Sequence, residues 1–211
     1  MKFFDLILPI DDTANLIIEL KEPLNCIDCC YRTDIVFLQA NKKLLLSNEP
    51  ILYAMRSLRD LLKKALTNKL YLHKSITDDI GYLFNEYHYL ENKSNFILET
   101  SSDETSYWVG YKHHLWEAEQ NNSRSATWIY SNDHKDMIFE ITPCYPYMYC
   151  EPEEEPNYIP YHEWIKTYKP YFVTTISQET AQQWLIQAEL IINTIEDNVR
   201  RWEMENDNKN I

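Results

Sequence analysis

Glycine is almost missing: Gly81 and Gly110 are the only two in 211 residues, where average usage gives roughly fifteen. A dinucleotide-binding turn needs three glycines within six residues, a P-loop needs two plus Gly-Lys-Ser/Thr, and a nucleophile elbow needs Gly-x-Ser-x-Gly. Two glycines twenty-nine positions apart assemble none of these. Long apolar runs are missing too, since no stretch approaches the roughly 20 residues that span a bilayer. The opening MKFFDLILPIDD is broken by Asp5 and Pro9 and lacks a small-residue cleavage site, unlike a secretory leader. Five cysteines, an odd number, suit reduced thiols better than a disulfide framework. Together these traits predict a cytoplasmic protein.

Positive charge is also scarce. Twenty Lys/Arg stand against 33 Asp/Glu, a net charge of −13. Residues 1–100 carry only −2 of it and residues 101–211 carry −11. A half this acidic repels nucleic acid and anionic membrane and attracts basic protein surfaces over about a Debye length.

What is present is aromatic. Aromatic residues make up 14% of the chain, sixteen of them tyrosine, so much buried area must come from rings with a polar tip. Alternation and turn residues predict strands at Phe3–Leu8 and Leu16–Leu20 around a DDTA turn, then a hairpin of Ile35–Gln39 and Leu44–Leu46. A helix follows, with Asn48 or Glu49 as cap and Pro50 in its first turn, and with apolar residues from Ile51 to Leu66 at spacings of three and four. Ser75 and Asp78 have the form of a capping box for a second helix through Leu90. Phe96–Glu99, Tyr107–Trp116, Thr127–Tyr130 and Met137–Thr142 read as an antiparallel meander. In it, Gly110 marks a bulge or a place where a tryptophan from a neighbouring strand crosses the backbone. Ser177 caps a last helix with Glu179 in its first turn, and an apolar stripe runs from Ala181 through Trp184 and Ile192 to Trp202. The fold class is therefore α+β, an antiparallel meander packed with a few helices including a long C-terminal one. It is read as one domain over 1–205 with a frayed tail at 206–211.

The candidate chemistry is sparse. Cys26, Cys29 and Cys30 form CIDCC, with Cys144 and Cys150 far downstream. This spacing matches no zinc ribbon or finger, so neither metal nor other cofactor is expected. His113 and His114 are adjacent, and His162-Glu163 is followed by Lys166 where a zincin needs a second histidine. Glu117, Glu119 and Glu140 flank aromatic strands and supply the hydrolase alternative. The most distinctive stretch is acidic. Glu151, Glu153, Glu154 and Glu155 stand between and beside Pro152 and Pro156, with Tyr145, Tyr147, Tyr149, Tyr158 and Tyr161 around them. Rigid amphipathic rings beside carboxylates suit a protein interface, the rings as anchors and the acids as steering groups.

The block WIYSN…IFEITPCYPY, an aromatic hairpin closing into Thr-Pro and an aromatic-proline run, resembles small acidic bacterial immunity proteins that accompany secreted polymorphic toxins. The resemblance covers about residues 107–195 by element order and composition. Such proteins share no diagnostic motif, so no binding residue is carried over. It implies a stoichiometric cytosolic inhibitor, not an enzyme, binding a basic (in many cases nuclease) toxin domain, with no nucleic acid or membrane as partner. The alternatives are a hydrolase with a carboxylate or histidine site, and an adaptor for another basic partner.

Overall fold

The computed structural model describes residues 5–77, 79–90, 93–101, 104–120, 123–147 and 155–207. Its contacts cluster into two units, Met1–Thr67 with Ile176–Ile211, and Asn68–Thr175. The fold is α+β, as the patterning predicts.

In the first unit, β1 (Leu6–Pro9), β2 (Ala14–Glu19), β3 (Asp34–Gln39) and β4 (Lys42–Ser47) form an antiparallel sheet in chain order. The DDTA turn closes on Asp11, whose Oδ1 accepts from the backbone N–H groups of Thr13 and Ala14. Every second residue of β2, Ala14, Leu16 and Ile18, is buried, the period that puts one strand face inward. Helix α1 (Ile51–Leu66) packs against α4 (Gln178–Asp207). Met55, Leu58 and Leu62 of α1, and Trp184, Ala188, Ile191 and Ile195 of α4, are among the buried core residues. The Trp184 indole N–H donates to the Pro9 carbonyl at 2.8 Å, tying α4 to β1. Ser177 caps α4, its Oγ accepting from Thr180 N–H at 2.9 Å. The apolar stripe is buried as far as Ile195, but Trp202 is 67% exposed, because α4 continues at 1.5 Å per residue past the layer it packs on.

The start of α1 differs from expectation. Pro50 is the N-cap rather than a first-turn residue, and no side chain caps the helix. The Ile51 N–H donates to the Tyr31 carbonyl at 2.9 Å and the Tyr53 N–H to the Pro50 carbonyl at 3.0 Å, so backbone oxygens meet two of the orphan donors.

In the second unit, β7 (His114–Gln120), β8 (Ser123–Ser131) and β9 (Met137–Cys144) form an antiparallel meander, joined at β9 by β10 (Phe172–Ile176); of the four expected strands, only the last two and the end of the second belong to it. The hairpin turn is organised by Asn132, whose Oδ1 accepts from the N–H groups of His134 and Asp136. β5 (Leu98–Thr100) and β6 (Ser106–Trp108) are a separate two-stranded ribbon. The expected continuous strand Tyr107–Trp116 is interrupted by a 3-10 turn at Val109–His113. The cause is Gly110: a Cβ there would lie 2.4 Å from the Trp108 ring, so the chain folds back over its own tryptophan.

Helix α2 (Ile80–Tyr89) begins five residues after Ser75. Asp79 is its N-cap, accepting from Tyr82 N–H at 3.0 Å, while Ser75 is engaged with His73 Nδ1. Phe84 of α2 packs edge-on to Trp128 of β8 within a core that includes Ile80, Trp108 and Val109. A short helix, α3 (Tyr161–Trp164), lies before β10.

Candidate functional site

Of the expected interface residues, Tyr145, Tyr147, Glu155 and Tyr158 are described. Tyr149, Glu151, Glu153 and Glu154 lie outside the described residues, as does Cys150. Of the acidic run only Glu155 is described, and it is half-buried. Tyr147 donates its hydroxyl to the Asn157 carbonyl at 2.7 Å, and its ring meets Tyr158 at 5.4 Å, so the two flanks of the acidic segment are clamped together. Tyr145 is 2% exposed, and its hydroxyl donates to the Ile159 carbonyl at 2.7 Å. Sequence proximity suggested a contact ring at Tyr145. Its burial makes it a support instead, with Tyr147 and Tyr158, both half-buried, nearer the surface.

That support is aromatic throughout. Tyr145 packs edge-on to Tyr89, Tyr161 and Trp164, while Tyr89 and Tyr161 stack at 4.7 Å. Such pairs each add roughly 0.5–1.5 kcal/mol beyond area burial. Asn85, fully buried on α2, fixes the end of β9 from below. Its Nδ2 donates to the Gly81 and Pro143 carbonyls, and its Oδ1 accepts from Tyr145 N–H. No sequence signal marked Asn85, because one amide in a mixed segment looks like a surface residue until its three partners are placed.

A second feature is a buried acidic cluster under the N-terminus of α2. Glu140 of β9 is 2% exposed and accepts the Tyr130 hydroxyl at 2.7 Å. Burial, with the Asp79 carboxylate beside it, pushes Glu140 up to about 8. Asp79 is in turn held by the Tyr168 hydroxyl, which donates to the same Oδ1 that caps Tyr82. Burial and Asp79 push the Tyr168 phenol well above its ordinary value. Gly81 permits this convergence: a Cβ there would lie 2.3 Å from Thr142 Cγ2 and 2.4 Å from the Tyr168 hydroxyl.

The remaining candidates are dispersed. Glu117 and Glu119 share Arg124, at 2.7 and 3.7 Å, while Glu140 faces Asp79 elsewhere on the sheet. His113 is buried in the 3-10 turn, and His88 Nε2 meets the Tyr111 hydroxyl at 2.7 Å. Burial lowers His114, whose Nε2 is enclosed without a partner. His162 and Glu163 are exposed on α3. Cys144 is buried, and Cys26, Cys29 and Cys30 are free thiols in the first unit. Among the described residues no group of three or more His, Cys, Asp or Glu side chains converges on a metal position, and no helix is long and apolar enough to cross a membrane. No family model matches the chain, and neither a curated protein nor a solved structure is similar to it.

Proposed function

We propose that the chain is an immunity protein, a stoichiometric cytosolic inhibitor that binds a basic toxin domain through an acidic, tyrosine-rich surface. The observation that carries this reading is the clamp formed by Tyr147, Asn157 and Tyr158. It holds both flanks of the proline-bounded Glu151–Glu155 segment on a packed aromatic base. Pre-set flanks lower the ordering cost of binding, which otherwise consumes much of the gross interaction energy. Charge supports the same reading: Asn68–Thr175 holds 8 Lys/Arg against 17 Asp/Glu, a net −9. The hydrolase alternative draws less support, since Glu140 is enclosed and Glu117 and Glu119 are occupied by Arg124.

The test uses a candidate basic toxin domain, with binding kinetics at two salt concentrations and growth on co-expression. The expected result is a 1:1 complex whose on-rate falls with salt. Changing Glu151, Glu153, Glu154 and Glu155 together to Gln should then lower the on-rate about tenfold or more and flatten its salt dependence. Unchanged affinity in a folded quadruple variant would place the interface elsewhere. Binding without growth protection would favour the adaptor.

A further inference from the structure

The thiols of Cys26, Cys29 and Cys30 take no part in the acidic segment or the carboxyl cluster, and they lie in a loop held from several sides. Asn198 Nδ2 on α4 donates to the carbonyls of Leu24 and Ile27, at 3.0 and 2.8 Å, and Ile27 is buried. Asp28 Oδ1 accepts from Cys30 N–H at 2.8 Å, and the Asp28 carbonyl accepts from Tyr31 N–H. The Tyr31 hydroxyl accepts from Lys21 N–H at 2.8 Å. The backbone on both sides of the thiol pair is therefore fixed before any ligand arrives.

On this frame Cys29 Sγ and Cys30 Sγ are 3.8 Å apart, Cys30 exposed and Cys29 half-exposed. Two sulfurs bound to one tetrahedral zinc-like ion, each at about 2.3 Å, stand about 3.8 Å from each other. A disulfide would instead need them at about 2.05 Å. The pair thus has the bite of a chelate, and thiolates select thiophilic cations. Cys26 Sγ lies against Asn25 Oδ1 at 3.6 Å. The groove that Cys29 shares with Cys26 is also lined by Asp28, Glu203 and Glu205 against Arg201, a local excess of negative charge that favours a cation next to the pair.

We propose that Cys29 and Cys30 form a surface two-thiolate site for a thiophilic divalent d10 cation of the zinc and cadmium class, one per chain. Each thiol releases its proton to solvent on binding, and water fills the two remaining positions. The site is open and lies outside the core, so the fold does not depend on it. This separates it from the closed four-ligand centre that the cysteine spacing argues against.

The experiment titrates the reduced full chain with cadmium. It reads protection of each cysteine from alkylation by peptide mass mapping, and affinity by competition with a chromophoric chelator. Cys29 and Cys30 should be protected together and Cys26 should stay reactive, with chelator restoring alkylation and leaving circular dichroism unchanged. Cys29→Ser and Cys30→Ser should each weaken binding at least about tenfold, as loss of a ligand exceeds loss of an outer contact. Cys26→Ser should bind as the unaltered chain does. Equal weakening by Cys26→Ser, or an unaltered chain that binds no tighter than the Cys29→Ser/Cys30→Ser double variant, would overturn the proposal. The protection pattern of the unaltered chain needs no variant and decides the matter even if one misfolds.

Discussion

Tyr130 on β8 donates its hydroxyl to Glu140 Oε2 on β9 at 2.7 Å, in a buried site that the Asp79 carboxylate shares. An ionised Glu140 there would put a desolvated negative charge against Asp79, so the proton stays on. Glu140 is raised from an ordinary 4.5 to about 8. Between these values the unfolded chain has lost the proton and the folded chain still holds it, so rising pH favours unfolding. The stabilising contribution is complete below about 4.5 and gone above about 8. The melting temperature should fall between pH 5 and pH 8.5 more steeply in the unaltered chain than in Glu140→Gln. Equal slopes would mean that Glu140 is ionised throughout.

Gly81 and Thr142 make the second prediction. Alanine normally gains roughly 0.8–1.0 kcal/mol over glycine in a helix. Here its Cβ would lie 2.3 Å from Thr142 Cγ2, with Tyr168 closing the other side. Gly81→Ala should therefore destabilise by about 1–3 kcal/mol, as overpacking does. Adding Thr142→Ser removes the methyl and keeps the hydroxyl that accepts the Trp128 indole N–H at 2.9 Å. The double variant should recover part of the loss in denaturant unfolding, and strict additivity would count against the clash.

Along α4, Trp184 and Ile192 are fully buried and Trp202 is not. Trp184→Ala and Ile192→Ala should each cost on the order of 2–5 kcal/mol. Trp202→Ala should stay within about 0.5 kcal/mol. Urea midpoints for the three variants would show whether the helix is load-sharing along its length or only to Ile195.

Ala40 holds a left-handed φ of 49° in the two-residue turn between Gln39 and Lys42. A Cβ costs roughly 1–2 kcal/mol in that region. Ala40→Gly should therefore raise stability by several tenths to about 1 kcal/mol, because glycine's greater unfolded-state freedom offsets part of the gain. A loss of stability in thermal melts would contradict this.

Periodicity and turn chemistry alone determined the class and most elements of this protein. The stripe of α4, the cap at Ser177, the β8–β9 hairpin and the β3–β4 hairpin all rest on interactions within a few residues of each other, which a linear pattern records. Only the tertiary structure decided the rest. Ser75 and Asp79 are both adequate caps in isolation, and Asp79 is chosen where the Tyr168 hydroxyl and Glu140 converge on it. Tyr145 and Tyr147 look alike in a tyrosine-rich run, yet one is enclosed by Tyr89, Tyr161 and Trp164 while the other is half-buried and reaches the Asn157 carbonyl. Asn85, Glu140 and the scarce Gly81 take their meaning from partners about sixty residues away in sequence. Such contacts depend on which strand lies beside which helix, and spacing along the chain does not encode that.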